Sequence, residues 1–265
     1  MTEQRDGWQH VVAVAAAVCL VCSILVSATA VLLGPRQAAN AALDMQKNLL
    51  HAAGLYRPGD PLSNIDTLMQ GVEARVVDLA TGRYVDDIDA RTFDQRAAAR
   101  GSLTSIALEP ATDLARIQRR SLYAPVYLIR EGSNLEQVIL PVHGSGLYST
   151  LHGFIALGPD LRTIVGLKFY EQGETAGLGA EVDNPRWLAQ WEGKIALDRD
   201  GLPIIEVVKG GVSASDPGAI HKVDAISGAT ITSRSVQNLL TFWLDEAGFG
   251  PYLKYLRQQS DEESR

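Results

Sequence analysis

Residues 123–173 read YAPVYLIREGSNLEQVILPVHGSGLYSTLHGFIALGPDLRTIVGLKFYEQG, and their pattern decides the fold. APVYLIREG, LEQVILPVHGSG, LHGFIALGPD and TIVGLKFYEQG are apolar runs cut by Gly, Pro and Asp, which predicts short strands joined by turns. Upstream, GVEARVVDLATGRYV, starting at Gly71, reads as two short strands around a Gly turn, and IEVVKGG downstream reads as another. Residues 86–120 mix charges with alanines and read as helical or irregular. No internal repeat appears, and few helices are long enough to serve as crossovers. The expected class is therefore α+β with a largely antiparallel sheet.

Two helices flank the last part of this pattern. Asp183-Asn184-Pro185 is expected to open one that holds Trp187, Leu188 and Trp191. Val236, Leu239, Leu240, Trp243 and Leu244 recur at helical spacing and form one apolar stripe. Thr232 and Ser233 are the expected N-caps of this second helix, and Gly248 with Gly250-Pro251 is expected to close it.

The N-terminus is of a different kind. VVAVAAAVCLVCSILVSATAVLL, residues 11–33, carries no charge. As a helix it would be roughly 35 Å long, enough to cross a hydrocarbon core of about 30 Å. Trp8 suits one interface, and Gly34-Pro35-Arg36 is expected to stop the helix at the other. Ala28-Thr29-Ala30 also fits a signal-peptide cleavage site, but the apolar run continues beyond it, and a retained anchor is the favoured reading. The flanking charges do not fix an orientation. The expected organisation is a tail over 1–10, a transmembrane helix over 11–33, and a juxtamembrane helix (stopping near Gly54) with a linker over 34–60. A soluble domain follows over 61–257, with an acidic tail over 258–265.

Cys19 and Cys22 both lie inside the apolar run, where no His, Asp or Glu could complete a metal or redox site, so they read as small apolar residues. The cysteine-free remainder suits an oxidising compartment. A net charge of -7, with the acidic excess spread along the chain, argues against a nucleic-acid partner, whose phosphates call for a basic face.

Ahead of the striped helix lies Asp224-Ala225-Ile226-Ser227-Gly228-Ala229-Thr230-Ile231-Thr232, a tight polar loop that presents several hydroxyls at a helix N-terminus. Such an end offers unpaired N–H groups and partial positive charge to a phosphate. Gly228 and Ala229 keep the approach open, and the same residues would also serve as a plain helix entry loop.

D-x-x-S-G-A-T resembles the motif in which a flavin transferase joins FMN phosphate to the final threonine. It is found in the C subunit of the sodium-translocating NADH:quinone oxidoreductase and in the G subunit of the Rnf complex. Leu140–Thr150 is similar to the LPVHGxGLxST stretch of the quinone-reductase family, and Gly173–Gly179 with Glu181–Asn184 to its GETxGLGxEVxN stretch. Thr163–Leu167, Phe242–Leu244 and Gly248–Pro251 add shorter likenesses. Two residues depart from the pattern: Ala176 stands where proline is expected and Tyr148 where tryptophan is expected.

The resemblance implies a covalent FMN on Thr230. Asp224 and Ser227 would serve transferase recognition or the loop's own bonds, and Thr232 would donate to the phosphate or cap the helix. Glu174, Thr175, Leu178 and Gly179, in a loop that also holds Gly177, would bring backbone close to the flavin ring, and Tyr148 would stack on it. His143 reads as a loop hydrogen-bonding residue rather than a metal ligand, and Trp187, Trp191 and Trp243 as core. The implied protein is a one-electron carrier in the bacterial inner membrane with its domain on the periplasmic side. Its partners would be the A, B, D, E and F subunits of a sodium-pumping NADH:ubiquinone reductase, together with the flavin transferase. Electrons would arrive from a membrane iron–sulfur centre and leave to the FMN of the B subunit. No residue suggests an NADH, quinone or sodium site, so the chain alone is expected to be inert. The alternatives are the Rnf protein and a flavin-free membrane-anchored adaptor.

Overall fold

The structure, a computed structural model, describes residues 3–57, 59–213 and 215–263 and divides into two units, Met1–Met45 and Gln46–Arg265. Helix α1 spans Glu3–Ala52. Within the first unit, every side chain of residues 11–33 is exposed, so the apolar run has no protein cover. The stretch Gly7–Ala52 is long and apolar enough to cross a membrane. The hydroxyl of Thr29 is satisfied within the helix by donating to the Leu25 carbonyl at 2.7 Å.

Pro35 does not stop the helix as expected but lies inside it. A proline removes a single donor from the ladder, and the bonds on either side carry the helix through. The end comes at Ala52, where Gly54 takes φ +71° and Leu55 N–H returns to the Leu50 carbonyl at 2.9 Å. Gly54 therefore marks the stop, as the sequence suggested.

The second unit is built on a five-stranded sheet, which the short helix α2 (Asn64–Gln70) leads into. In chain order its strands are β1 (Val72–Asp78), β4 (Tyr123–Glu131), β5 (Asn134–Ser145), β6 (Thr150–Leu157) and β7 (Ile164–Glu171). Their spatial order is β1-β4-β5-β6-β7, and every neighbouring pair is antiparallel. Tyr84 bridges back to Val77, completing the turn predicted after β1. Within residues 86–120 the sequence reading missed a small hairpin, β2 (Ser105–Ala107) with β3 (Arg119–Ser121), which follows the short helix α3 (Gln95–Arg100).

The strands read as nearly unbroken apolar runs because both faces of the sheet are covered. On β5, Val138, Leu140 and Val142 face the main core, while Ile139 joins Leu49, Ala52 and Ala53 on the opposite face. Gly166 on β7 is needed there, since a Cβ would strike the carbonyl of Ala52.

Beyond the sheet, Asn184 caps α4 (Pro185–Leu188) by accepting Arg186 N–H at 2.9 Å. This helix is a single turn, so Trp191 lies past its end rather than within it. The strand read in IEVVKGG is β8 (Glu206–Val208), which pairs in parallel with β9 (Lys222–Asp224).

Helix α5 (Thr230–Leu244) closes the main face. Val236, Leu239, Leu240, Trp243 and Leu244 are all fully buried. At about 1.5–3 kcal/mol per large apolar side chain, this stripe is a major stabilising contact. The indole of Trp243 donates to the His143 carbonyl at 2.6 Å and ties α5 to β5.

Two expectations about this helix are corrected. Its N-cap is Ala229, so Thr232 and Ser233 lie within the first turn. The Ser233 hydroxyl reaches back to the Ala229 carbonyl at 2.9 Å and also accepts Ile226 N–H at 2.9 Å. Gly250-Pro251 does not close α5, which ends at Leu244 with Asp245 as its C-cap. It starts a further helix, α6 (Gly250–Glu263), where a proline without an N–H suits the first turn. Residues 258–263, set apart as an acidic tail, belong to that helix.

Candidate cofactor site

Three loops meet at the N-terminus of α5. One joins β5 to β6, one follows β7, and one leads from β9 into α5. Their residues line a cleft of about 290 Å³ that contains Leu147, Tyr148, Glu174, Leu178, Thr230 and Ile231.

Glu174 holds the three loops together. It is only 8% exposed. One carboxylate oxygen accepts the N–H groups of Tyr148 and Ser149 at 2.9 and 3.2 Å, and the other accepts the Thr232 hydroxyl at 2.7 Å. Burial pushes the Glu174 pKa up, but the donors from Tyr148, Thr232, Ser149 and Leu147 outweigh it and hold the group below the usual carboxylate range. Glu174 is thus a charged post whose acceptor sites are in use, which suits positioning rather than proton transfer.

Two glycines make room for this carboxylate. A Cβ on Gly146 would lie 2.6 Å from its Oε1, and one on Gly179 would lie 2.7 Å from both Oε2 and Thr232 Oγ1. Thr175 closes the 174–180 loop by accepting the N–H groups of Leu178 and Ala180, each at 3.1 Å, around Gly177 at φ +73°. Gly228, at φ +77°, turns the chain into α5 with its back to Leu178.

Thr230 is the first residue of α5 and half-buried. The N-cap before it, Ala229, brings no side-chain acceptor. The leading amides of the helix therefore lack a side-chain cap at the point where the cleft opens. Around this end stand exposed apolar groups: Leu147, Leu178, Ile231 and Tyr148, the last 71% exposed. A flat apolar ring with a phosphate tail fits this set, since the rim offers apolar cover and the helix end offers amide donors.

The structure brings together most of the residues expected from sequence. Tyr148, Glu174, Thr175, Leu178, Gly179, Gly228, Ala229, Thr230 and Thr232 all line the cleft. Asp224 and Ser227 do not. They line an adjoining depression of about 510 Å³ with Lys209, Gly210 and Gly211, and Thr230 borders both spaces. Asp224 is tied into the fold: its carboxylate accepts Val212 N–H, its own N–H donates to Gln190, and its carbonyl accepts the Trp187 indole at 2.7 Å.

Leu147, Ile231 and the Lys209 loop were not anticipated. Leu147 lies in the stretch similar to LPVHGxGLxST and Ile231 in the loop ahead of α5, each beside an expected site residue, and those were their sequence signals. His143 is not in a loop, as expected, but within β5, its ring stacked on His152 at 5.3 Å and 4.8 Å from Trp243. Trp187, Trp191 and Trp243 are buried core residues. Among the described residues no group of His, Cys, Asp and Glu could hold a metal.

Residues 146–245, which carry this cleft, match the model of the FMN-binding domain family. The chain is 46% identical to the C subunit of Na(+)-translocating NADH-quinone reductase from Pseudomonas aeruginosa, across 96% of this chain and 98% of that one. It is 43% identical to the corresponding C subunit from Vibrio parahaemolyticus, across 97% and 98%. The crystal structure of Shewanella oneidensis NqrC superposes with a TM-score of 0.76 at 36% identity, covering 83% of this chain and 99% of that one. On this likeness over nearly the whole length, together with the FMN-binding domain and the apolar N-terminal helix, the chain belongs to the NqrC family, the C subunits of Na(+)-translocating NADH-quinone reductase: a membrane-anchored, electron-carrying component of that oxidoreductase.

Proposed function

We propose that Thr230 carries FMN through a phosphoester, and that the chain passes single electrons within a sodium-pumping NADH:quinone reductase. The observation that carries this reading is the placement of Thr230 at a helix start without a side-chain cap, beside an exposed apolar rim. The bound flavin supplies the redox chemistry. The chain supplies its position: the leading α5 amides face the phosphate, Leu147, Tyr148 and Leu178 cover the ring, and Glu174 fixes the three loops.

Attachment requires a flavin transferase and a flavin-nucleotide donor. With a flavin dinucleotide as donor, a bond would form between Thr230 Oγ1 and the FMN phosphorus, the pyrophosphate bond to the donor's nucleoside monophosphate would break, and that nucleotide would leave with the hydroxyl proton. Asp224 supports this step by holding the 209–212 loop beside the acceptor residue. The domain lies on the periplasmic side of the inner membrane, and the neighbouring A, B, D, E and F subunits supply the NADH, quinone and sodium sites.

The test is the intact mass of the full chain co-expressed with a flavin transferase, beside Thr230→Ala. An added mass of FMN less water in the parent and none in the variant is expected. An unmodified parent, dark under ultraviolet light after denaturation, would overturn the reading in favour of a flavin-free anchor protein.

A further inference from the structure

Behind the cofactor cleft lies a larger depression, of about 910 Å³, lined by Arg96, Arg100, Arg116 and Arg119. Its single lining carboxylate, Glu171, is paired with Arg96 at 2.7 Å. This leaves a local excess of positive charge in a chain whose net charge is -7. Arg119 is satisfied by the Ser105 hydroxyl at 2.9–3.0 Å. Arg100 and Arg116 have no side-chain acceptor among the described residues.

The segment bearing Arg116 is held in an unusual shape. Arg116 and Gln118 take φ +53° and +63°, the left-handed region that non-glycine residues rarely adopt. Buried Asp113 holds them there by accepting the N–H groups of Ile117 and Gln118 at 3.0 and 2.7 Å. His143 and His152 also line the depression. Burial first, and Arg96 nearby, lower their pKa values to about 3 and about 4, against a smaller opposing effect of Glu171 on His152, so both rings are neutral near pH 7. The depression is therefore a cationic, concave surface with little internal compensation.

We infer that the arginine-lined depression docks an acidic polypeptide segment of a partner protein, whose carboxylates pair with Arg100 and Arg116. The cations are spread over α3 and the 116–119 segment, so they match several carboxylates along an extended chain better than one small anion. A lipid surface is flat and would not reach into a concave site, whereas a peptide would. The location gives the contact a purpose. The Ser149 hydroxyl accepts Gly173 N–H at 2.6 Å, and these two residues line the depression while Tyr148 and Glu174, next to them in sequence, line the cofactor cleft. A docked partner would sit one residue behind the candidate flavin site.

The test uses the full chain in detergent micelles and a fluorescein-labelled hexaglutamate peptide, read by anisotropy at about 20 mM and about 200 mM salt. Saturable binding at low salt is expected, weakened about tenfold or more by Arg100→Glu with Arg116→Glu and unchanged by Arg186→Glu outside the depression. If the double variant fails to fold, Arg100→Gln and Arg116→Gln singly must each weaken binding. Thr230→Ala must bind as the parent does, so loss of the flavin reading would leave this one intact. Absent binding, equal weakening by Arg186→Glu, or arginine-dependent binding of inorganic phosphate or phosphatidylglycerol vesicles without peptide binding would overturn the inference.

Discussion

The Thr232 hydroxyl donates to Glu174 Oε2 across 2.7 Å, joining two residues 58 positions apart in the chain. This bond closes the triangle of loops around the candidate flavin site, and the first prediction follows from it. Glu174→Gln keeps the shape but replaces an oxygen acceptor by a donor facing other donors. A loss of about 1–3 kcal/mol is expected in urea unfolding, with less flavin attached to Thr230 by in-gel fluorescence.

The same residue sets an acid limit. Its folded pKa lies below the ordinary value, so the folded state binds fewer protons there and stability rises with pH. The contribution is full above the unfolded value of about 4.3 and is lost as pH falls through the folded one. The parent should lose urea resistance more steeply below about pH 4.3 than Glu174→Gln, and parallel profiles would contradict this.

Gly179→Ala would place a methyl 2.7 Å from both Glu174 Oε2 and Thr232 Oγ1. Overpacking at a fixed hydrogen bond is expected to cost about 1–3 kcal/mol and to reduce flavin attachment together with stability. Gly166→Ala, against the Ala52 carbonyl on the far face, should destabilise by a similar amount while attachment to the folded fraction stays normal. The ratio of attachment to folded protein separates the two variants.

His143 and His152, at about 3 and about 4, should show no imidazole titration by NMR between about pH 5 and 8. Both folded values lie below that of a free histidine. Their contribution to stability is therefore full above about pH 6.5 and falls as pH drops toward about 4, a window above that of Glu174. A mid-range titration of either ring would contradict the burial that keeps them neutral.

The strands and the stripe of α5 were legible because burial on both faces writes long apolar runs, and burial on one face writes a 3.6-residue period. The helix stop at Pro35 and the closure at Gly250-Pro251 were misread for one reason. Proline marks a missing donor, and whether that ends, interrupts or begins a helix depends on the bonds around it. The cleft was legible at the polar and glycine residues of the motifs and not at Leu147 and Ile231, which lie in the same stretches, since an exposed apolar residue looks the same in sequence as a buried one. Asp224 and Ser227 show the converse: they share a short motif with the candidate attachment residue but line only the depression beside the cleft.

Ala229 also bears on the life of the protein before maturation. A serine or aspartate there would cap α5 and contribute about 0.5–2 kcal/mol, and the chain forgoes that gain. Under the proposed linkage, the newly made domain leaves its helix start unfinished until a phosphate arrives from outside the sequence. The unmodified form would then fray first at the place the transferase must reach, and the modified form would resist proteolysis there. Maturation and quality control would thus act on the same turn of helix.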